Sequence, residues 1–126
     1  MKKVNVLAAG VVVAGLLVVV GSRVAPAQDP AVVNAKMVQV KLENNRVRVL
    51  ESTLQPGDKE QMHSHPAYVT YVISGGKLRN HSADGKVTES EVKAGDVVYR
   101  EPLTHWAENI GTTPIHIILV ELKNPS

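Results

Sequence analysis

The stretch Gly57-Asp58-Lys59-Glu60-Gln61-Met62-His63-Ser64-His65-Pro66-Ala67-Tyr68-Val69-Thr70-Tyr71-Val72-Ile73-Ser74-Gly75-Gly76 decides the fold of this chain. It leaves a Pro56-Gly57-Asp58 turn and carries two histidines one residue apart. It then runs through a β-branched and aromatic segment and stops at Ser74-Gly75-Gly76. On a strand, side chains alternate between faces, so His63 and His65 project together and can share a cation. Gln61 falls on the same face and could add an oxygen ligand, or stand as a solvated residue at the rim.

On either side of this stretch the pattern is the same. Short β-type runs (Met37 to Val40, Val47 to Leu50, Val97 to Tyr99, Thr104 to Asn109) are separated by turn residues, and no segment sustains a 3.6-residue apolar repeat. Eight or nine strands without a helix predict an all-β sandwich or small barrel. Lys77 to His81 and Val87 to Val92 flank Asp84-Gly85, which predicts a hairpin with a type I′ turn. The last run, Ile115 to Leu122, has almost no polar alternation, so both of its faces are expected to be covered, one by the core and the other by a second sheet or a partner subunit. The chain has no Phe, so Val, Ile and Leu must build its core.

The first 27 residues have a Lys2-Lys3 start, an uncharged run from Val6 to Val20 and a small-residue site at Ala25-Pro26-Ala27. That is the layout of a secretory signal peptide cleaved after Ala27, with a retained membrane anchor as the alternative. The expected organisation is a signal peptide over 1–27, a linker over 28–34 and one domain over 35–126, in the periplasm or secreted, with no stable membrane association after cleavage. Of 14 Lys and Arg, three (Lys2, Lys3 and Arg23) leave with the signal and no acid does, against 12 Asp and Glu. The mature chain is close to neutral and has no basic cluster interleaved with aromatics, which argues against nucleic acid as a partner. There is no Cys either, so stability must come from the core, from a homodimer or from a metal.

A second histidine-bearing segment, Gly95-Asp96-Val97-Val98-Tyr99-Arg100-Glu101-Pro102-Leu103-Thr104-His105 followed by Asn109, gives the pair its context. Together the two segments resemble the paired motifs of the cupin superfamily. The first motif is Gly, five residues, HxH, three or four residues, Glu, six residues, Gly; Gly57, His63, His65 and Gly76 match it. The Glu position falls on Val69, or on Thr70 at the longer spacing. In the second motif Gly95, His105 and Asn109 look like the anchors, although the turn between them is one residue short and its middle Gly is absent. The resemblance implies a double-stranded β-helix, or jelly-roll, barrel. It also implies a metal site made of His63, His65 and His105 with no carboxylate, similar to the three-His site of the thiol dioxygenases. Neutral imidazoles suit one divalent transition ion, whether Fe, Mn, Zn, Ni or Cu, and leave positions open for a small-molecule ligand or substrate.

Strand alternation counted from Val69 sends Tyr71 into the barrel, where its phenol would serve as a catalytic hydrogen-bond donor or as packing. Tyr68 then points the other way. His81 is expected to be exposed, His116 to sit in the core or an interface, Trp106 to face away from the site and Glu101 to lie on a surface loop. The function implied is a metal-dependent enzyme, oxygenase-like, acting on a small polar molecule in the barrel. The alternative is a ligand-binding or sensing module with a structural metal or none.

Overall fold

The computed structural model describes residues 28–124; the signal-peptide reading of residues 1–27 falls outside them. Nine strands follow a single four-residue helix, α1 (Pro30–Val33): β1 (Val38–Glu43), β2 (Val47–Leu54), β3 (His63–His65), β4 (Tyr68–Ser74), β5 (Gly76–Ser82), β6 (Val87–Val92), β7 (Val97–Arg100), β8 (Leu103–Asn109) and β9 (Ile115–Leu122). They form two sheets, β1-β2-β9-β4-β7 and β3-β8-β5-β6, with all pairings antiparallel. This is the two-sheet jelly roll that the motifs imply.

The core is small and aliphatic, as a chain without Phe requires. Leu50 and Ile115 are fully buried, with Leu54, Val38 and Val72 beside them. Each such side chain contributes about 1.5–3 kcal/mol on burial. These residues do not fill the space between the sheets. Val38, Leu50, Leu54 and Val72 line one side of a cavity of about 470 Å³, while Asn80, Ser82, Thr88 and Ser90 of the smaller sheet line the other.

The two motif glycines that open turns have a backbone reason to be there. Gly57 and Gly95 adopt φ of 86° and 89°, the left-handed region that side chains avoid. Asn109, the last motif anchor, is buried and donates to the carbonyls of Leu54 and Thr113 while accepting from Gly111 N–H. It pins the turn that aims β9 back across the sheet.

Three expectations change. The segment 28–34, read as a linker in a chain without helices, carries α1 and is built into the fold. Asp29 caps α1 and pairs with Arg48 at 2.6 and 2.8 Å, and the Gln28 carbonyl accepts from Ser64 N–H. The β5–β6 hairpin is not type I′, because Asp84 has negative φ and only Gly85 is positive, at 88°. Gly85 N–H instead bonds Ser82 O and Ser82 N–H bonds Lys86 O, giving a longer loop that tolerates an ordinary residue at 84. Finally, β9 has one face on the cavity, through Ile117 and Leu119, but among the described residues no second sheet covers its outer face. The outer side of the larger sheet leaves Tyr71, Val97 and Tyr99 49%, 64% and 54% exposed.

Candidate metal centre

The short strand β3 pairs with β8 so that His63 lies opposite His105 and His65 opposite Leu103. Directly opposed residues share a face, and alternation brings His65 to it as well. All three imidazoles therefore enter the cavity from the smaller sheet, 2%, 5% and 8% exposed. Their ring centroids are 4.8, 4.8 and 5.4 Å apart, and their potential ligand atoms lie within 4.8 Å of one another. The hydroxyls of Ser64 and Thr104 bond across the same two strands and hold the register.

Hydrogen bonds fix which nitrogens point inward. His63 Nδ1 lies 2.7 Å from the Gln61 carbonyl and 3.1 Å from Asn34 Nδ2; the shorter contact is to a group that can only accept, and the Asn34 amide can donate to the same carbonyl instead, which assigns the proton to Nδ1 and leaves Nε2 its lone pair. Asn34, buried, braces this bond by accepting from Gln61 N–H at 2.7 Å and donating to Gln61 O at 3.2 Å. His65 Nδ1 lies 2.7 Å from Glu121 Oε1, which fixes its proton in the same way. Carbonyls and carboxylates behind imidazoles are the outer contacts that orient metal-binding histidines. His105 differs, since its Nδ1 is buried with no hydrogen-bond partner.

Burial dominates the electrostatics. It pushes the His63 pKa down to about 4, opposed in part by the bond to Gln61. His105 falls to about 3, again through burial first and then through the positive charges of its histidine neighbours and Arg100. Both imidazoles are neutral at pH 7, the form that binds metals. The residues thus fit a divalent transition ion: fixed tautomers, unprotonated rings, an orphaned ring nitrogen and an adjoining cavity.

Two carboxylates that the sequence did not single out stand at this centre. Glu121, 4% exposed near the end of β9, is the partner of His65 and lies 3.9 Å from Arg48 Nε. Glu60, its side chain 8% exposed, accepts from Ala107 N–H at 2.9 Å and places Oε2 3.8 Å from His63 Nε2. Burial raises the Glu60 pKa to about 7 against the opposing pull of that amide. An acid three residues before the HxH pair, and another at the end of an apolar strand, were the available signals.

The phase of β4 is the reverse of the expected one. Tyr68, Thr70 and Val72 line the cavity, whereas Tyr71 faces outward and is not a catalytic candidate. The physical reason is that counting from Val69, the shorter motif spacing, treats that residue as inward-facing; within β4 it is Thr70, at the longer spacing, that lines the cavity, so Val69 and Tyr71 both face out. Tyr68 is the inward phenol, its ring 4.6 Å from that of His65 and its pKa raised to about 12 by burial. Gln61 is exposed and serves through its backbone. Glu101 is exposed between β7 and β8, as expected of a surface loop.

His81 is not simply exposed. It stacks on Trp106 at 3.7 Å, a pairing that turns both rings away from the triad. His116 lies on the outer face of the larger sheet, 3.5 Å from Glu51. Neither joins the His63, His65 and His105 group.

The register makes a prediction about the missing motif acid. Val69→Glu will place its carboxylate outside the barrel and leave metal affinity unchanged, whereas Thr70→Glu will present it to the cavity and raise affinity. Metal titrations of the two variants check this. Tighter binding by Val69→Glu alone would contradict the observed phase of β4.

A family model described as a cupin domain matches residues 50–121. No curated protein matches the chain. Among solved structures, a cupin domain from Bordetella pertussis Tohama I is 27% identical and has a TM-score of 0.64, over 70% of this chain and 93% of its own. A conserved protein with a double-stranded β-helix domain from Klebsiella pneumoniae is 31% identical with a TM-score of 0.52, over 70% and 77%. A predicted oxalate decarboxylase from Thermotoga maritima is 24% identical with a TM-score of 0.52, over 69% and 79%. The matched region contains all three clustered histidines and spans more than half of the 126 residues, and on that ground the chain belongs to the cupin-domain family.

Proposed function

We propose that this chain is a metal-dependent enzyme of the oxygenase type, an oxidoreductase acting on a small polar molecule inside the barrel. The observation that carries the reading is three clustered imidazoles, two with their Nε2 lone pairs left free by fixed tautomers, lining a cavity of about 470 Å³. When bound there, a divalent transition ion supplies open coordination positions for substrate or dioxygen. The chain's own residues do the rest. Leu50, Leu54 and Val72 restrict water on one side; Asn80, Ser82 and Thr88 offer hydrogen bonds on the other; Arg100 and Lys86 add positive charge to the lining. Tyr68 keeps its proton well above neutral pH and can donate to a bound oxygen atom.

The same reading sends the mature chain to the periplasm or outside the cell. It pairs two copies over the half-exposed outer face of the larger sheet, where Tyr71, Val97 and Tyr99 stand. The test is metal analysis of protein isolated from its natural compartment, followed by oxygen-uptake assays with small thiols, diketones and phenols. Stoichiometric metal and metal-dependent oxygen consumption with one of these classes are the expected results. Absence of metal would instead favour a ligand-binding or sensing module.

A further inference from the structure

The cupin motif leaves Val69 and Thr70 where a carboxylate ligand is usual, and neither can replace it. A carboxylate outside the histidine triad nevertheless comes within 3.8 Å of one of its members from another direction. Glu60 lies on the approach to β3, its side chain 8% exposed, with Oε2 3.8 Å from His63 Nε2. That nitrogen is the ligating one, since the His63 proton is held at Nδ1 by Gln61.

Glu60 is also held in place. Its backbone N–H bonds Ala107 O and its Oε2 accepts from Ala107 N–H, two contacts with the residue that follows His105 by two positions on β8. The acid is thus clamped to the strand that carries His105 and faces the cavity next to His63. No arginine or lysine pairs with it among the described ion pairs; its one partner of that kind is His63. A buried carboxylate without a cation is costly, and a divalent ion between it and the imidazoles would remove that cost.

We propose that Glu60 supplies the oxygen ligand that β4 lacks, making the centre a site of three histidines and one carboxylate drawn from the chain just before β3. This rests on the reading of the triad as a metal centre. It lowers the charge of the occupied site by one relative to a three-His site and narrows the open positions accordingly.

The test uses the full chain and Co(II) alone as the probe, because the visible spectrum of Co(II) reports the number and type of its ligands. Glu60→Gln keeps the size of the side chain and an acceptor for Ala107 N–H. It should weaken Co(II) binding by roughly tenfold or more and change the spectrum, whereas a residue that only braced β8 would leave the spectrum as it was. In the parent protein with ¹³C-labelled glutamate, Zn(II) should shift the Glu60 carboxylate signal, a measurement that does not depend on the variant folding. A parent chain that takes up neither ion sinks the metal reading itself, and this assignment with it. A parent chain that binds Co(II) while Glu60→Gln matches it in affinity and spectrum, or an unmoved Glu60 signal with Zn(II) bound, overturns this assignment alone.

Discussion

His63→Ala, His65→Ala and His105→Ala are each expected to abolish stoichiometric metal uptake, whereas His81→Ala and His116→Ala are expected to retain it. The three rings converge on one point of the cavity, and each removal deletes a direct ligand. The loss should exceed the roughly 10–100-fold that follows from deleting an outer hydrogen-bond partner. His81 is turned away against Trp106 and His116 lies on the outer sheet face by Glu51, so their loss changes packing and leaves the centre intact. Metal content after desalting, measured for all five variants, decides the matter. Full metal in His105→Ala with loss in His81→Ala would show that the centre has been assigned to the wrong residues. The same burial gives the metal-free chain a pH signature. With His63 and His105 lowered to about 4 and about 3, the unfolded chain binds more protons than the folded one from pH near 6.5 down to those values. The contribution of these two histidines is therefore complete above that window and falls through it as acid is added, whereas Glu60, raised from 4.5 to about 7 by burial, acts in the opposite sense between those values. Denaturant titrations of the parent and of Glu60→Gln in chelator separate the two.

Glu121→Ala is expected to damage both the fold and the centre. Glu121 joins His65 at 2.7 Å to Arg48 at 3.9 Å, and Arg48 in turn holds Asp29 of the N-terminal segment. Removing the carboxylate leaves the Arg48 charge unbalanced on that side and frees the His65 ring to rotate. Arg48 keeps its pair with Asp29, so the loss is mainly that of the buried hydrogen bond to His65, about 1.5–3 kcal/mol, and metal affinity should fall by roughly 10–100-fold in addition. Glu121→Gln retains an oxygen that can accept from Nδ1–H, so it should fall between the parent and Glu121→Ala in both respects. Urea denaturation of the metal-free proteins reads the first effect and metal titration the second. Parent-like values for Glu121→Ala in both would reduce the contact to a bystander.

Much of this could be read from the residues because the signals were local. Val, Ile and Thr runs punctuated by Gly, Pro and Asn fixed an all-β domain, and the one-residue spacing of His63 and His65 determined their common face. His105 was reached through the second motif, and its position opposite His63 on β8 agrees. What escaped depends on strand phase and on contacts between distant segments. The motif allows two spacings for its acid, and the count that placed Tyr71 inside began at Val69, the shorter one; Thr70 is the residue that faces the cavity, so the count was out of phase and Tyr68 took the place of Tyr71. Asn34 and Glu121 escaped because they act on the histidines through tertiary contact, and Asn34 sat in a segment read as a linker; Glu60 is only three residues from His63, but what holds it there is its clamp on Ala107 of β8. The outer face of β9 stayed open because an apolar strand says that a face wants cover, not what provides it.

The order in which the centre comes together follows from the span of these contacts. The Gln61 carbonyl behind His63 is braced by Asn34, 27 positions before Gln61, and His65 by Glu121, 56 positions later. A chain still emerging from synthesis displays all three histidines, with Asn34 already made, before Glu121 arrives, and contacts of such separation form late. Until β9 docks, the imidazoles are free to choose tautomers and rotamers, and any ion they meet is held as loosely as by a peptide. Tight metal retention is thus a property of the finished molecule. On the metal reading, a chain cut before β9 should therefore bind an ion more weakly than the full chain does.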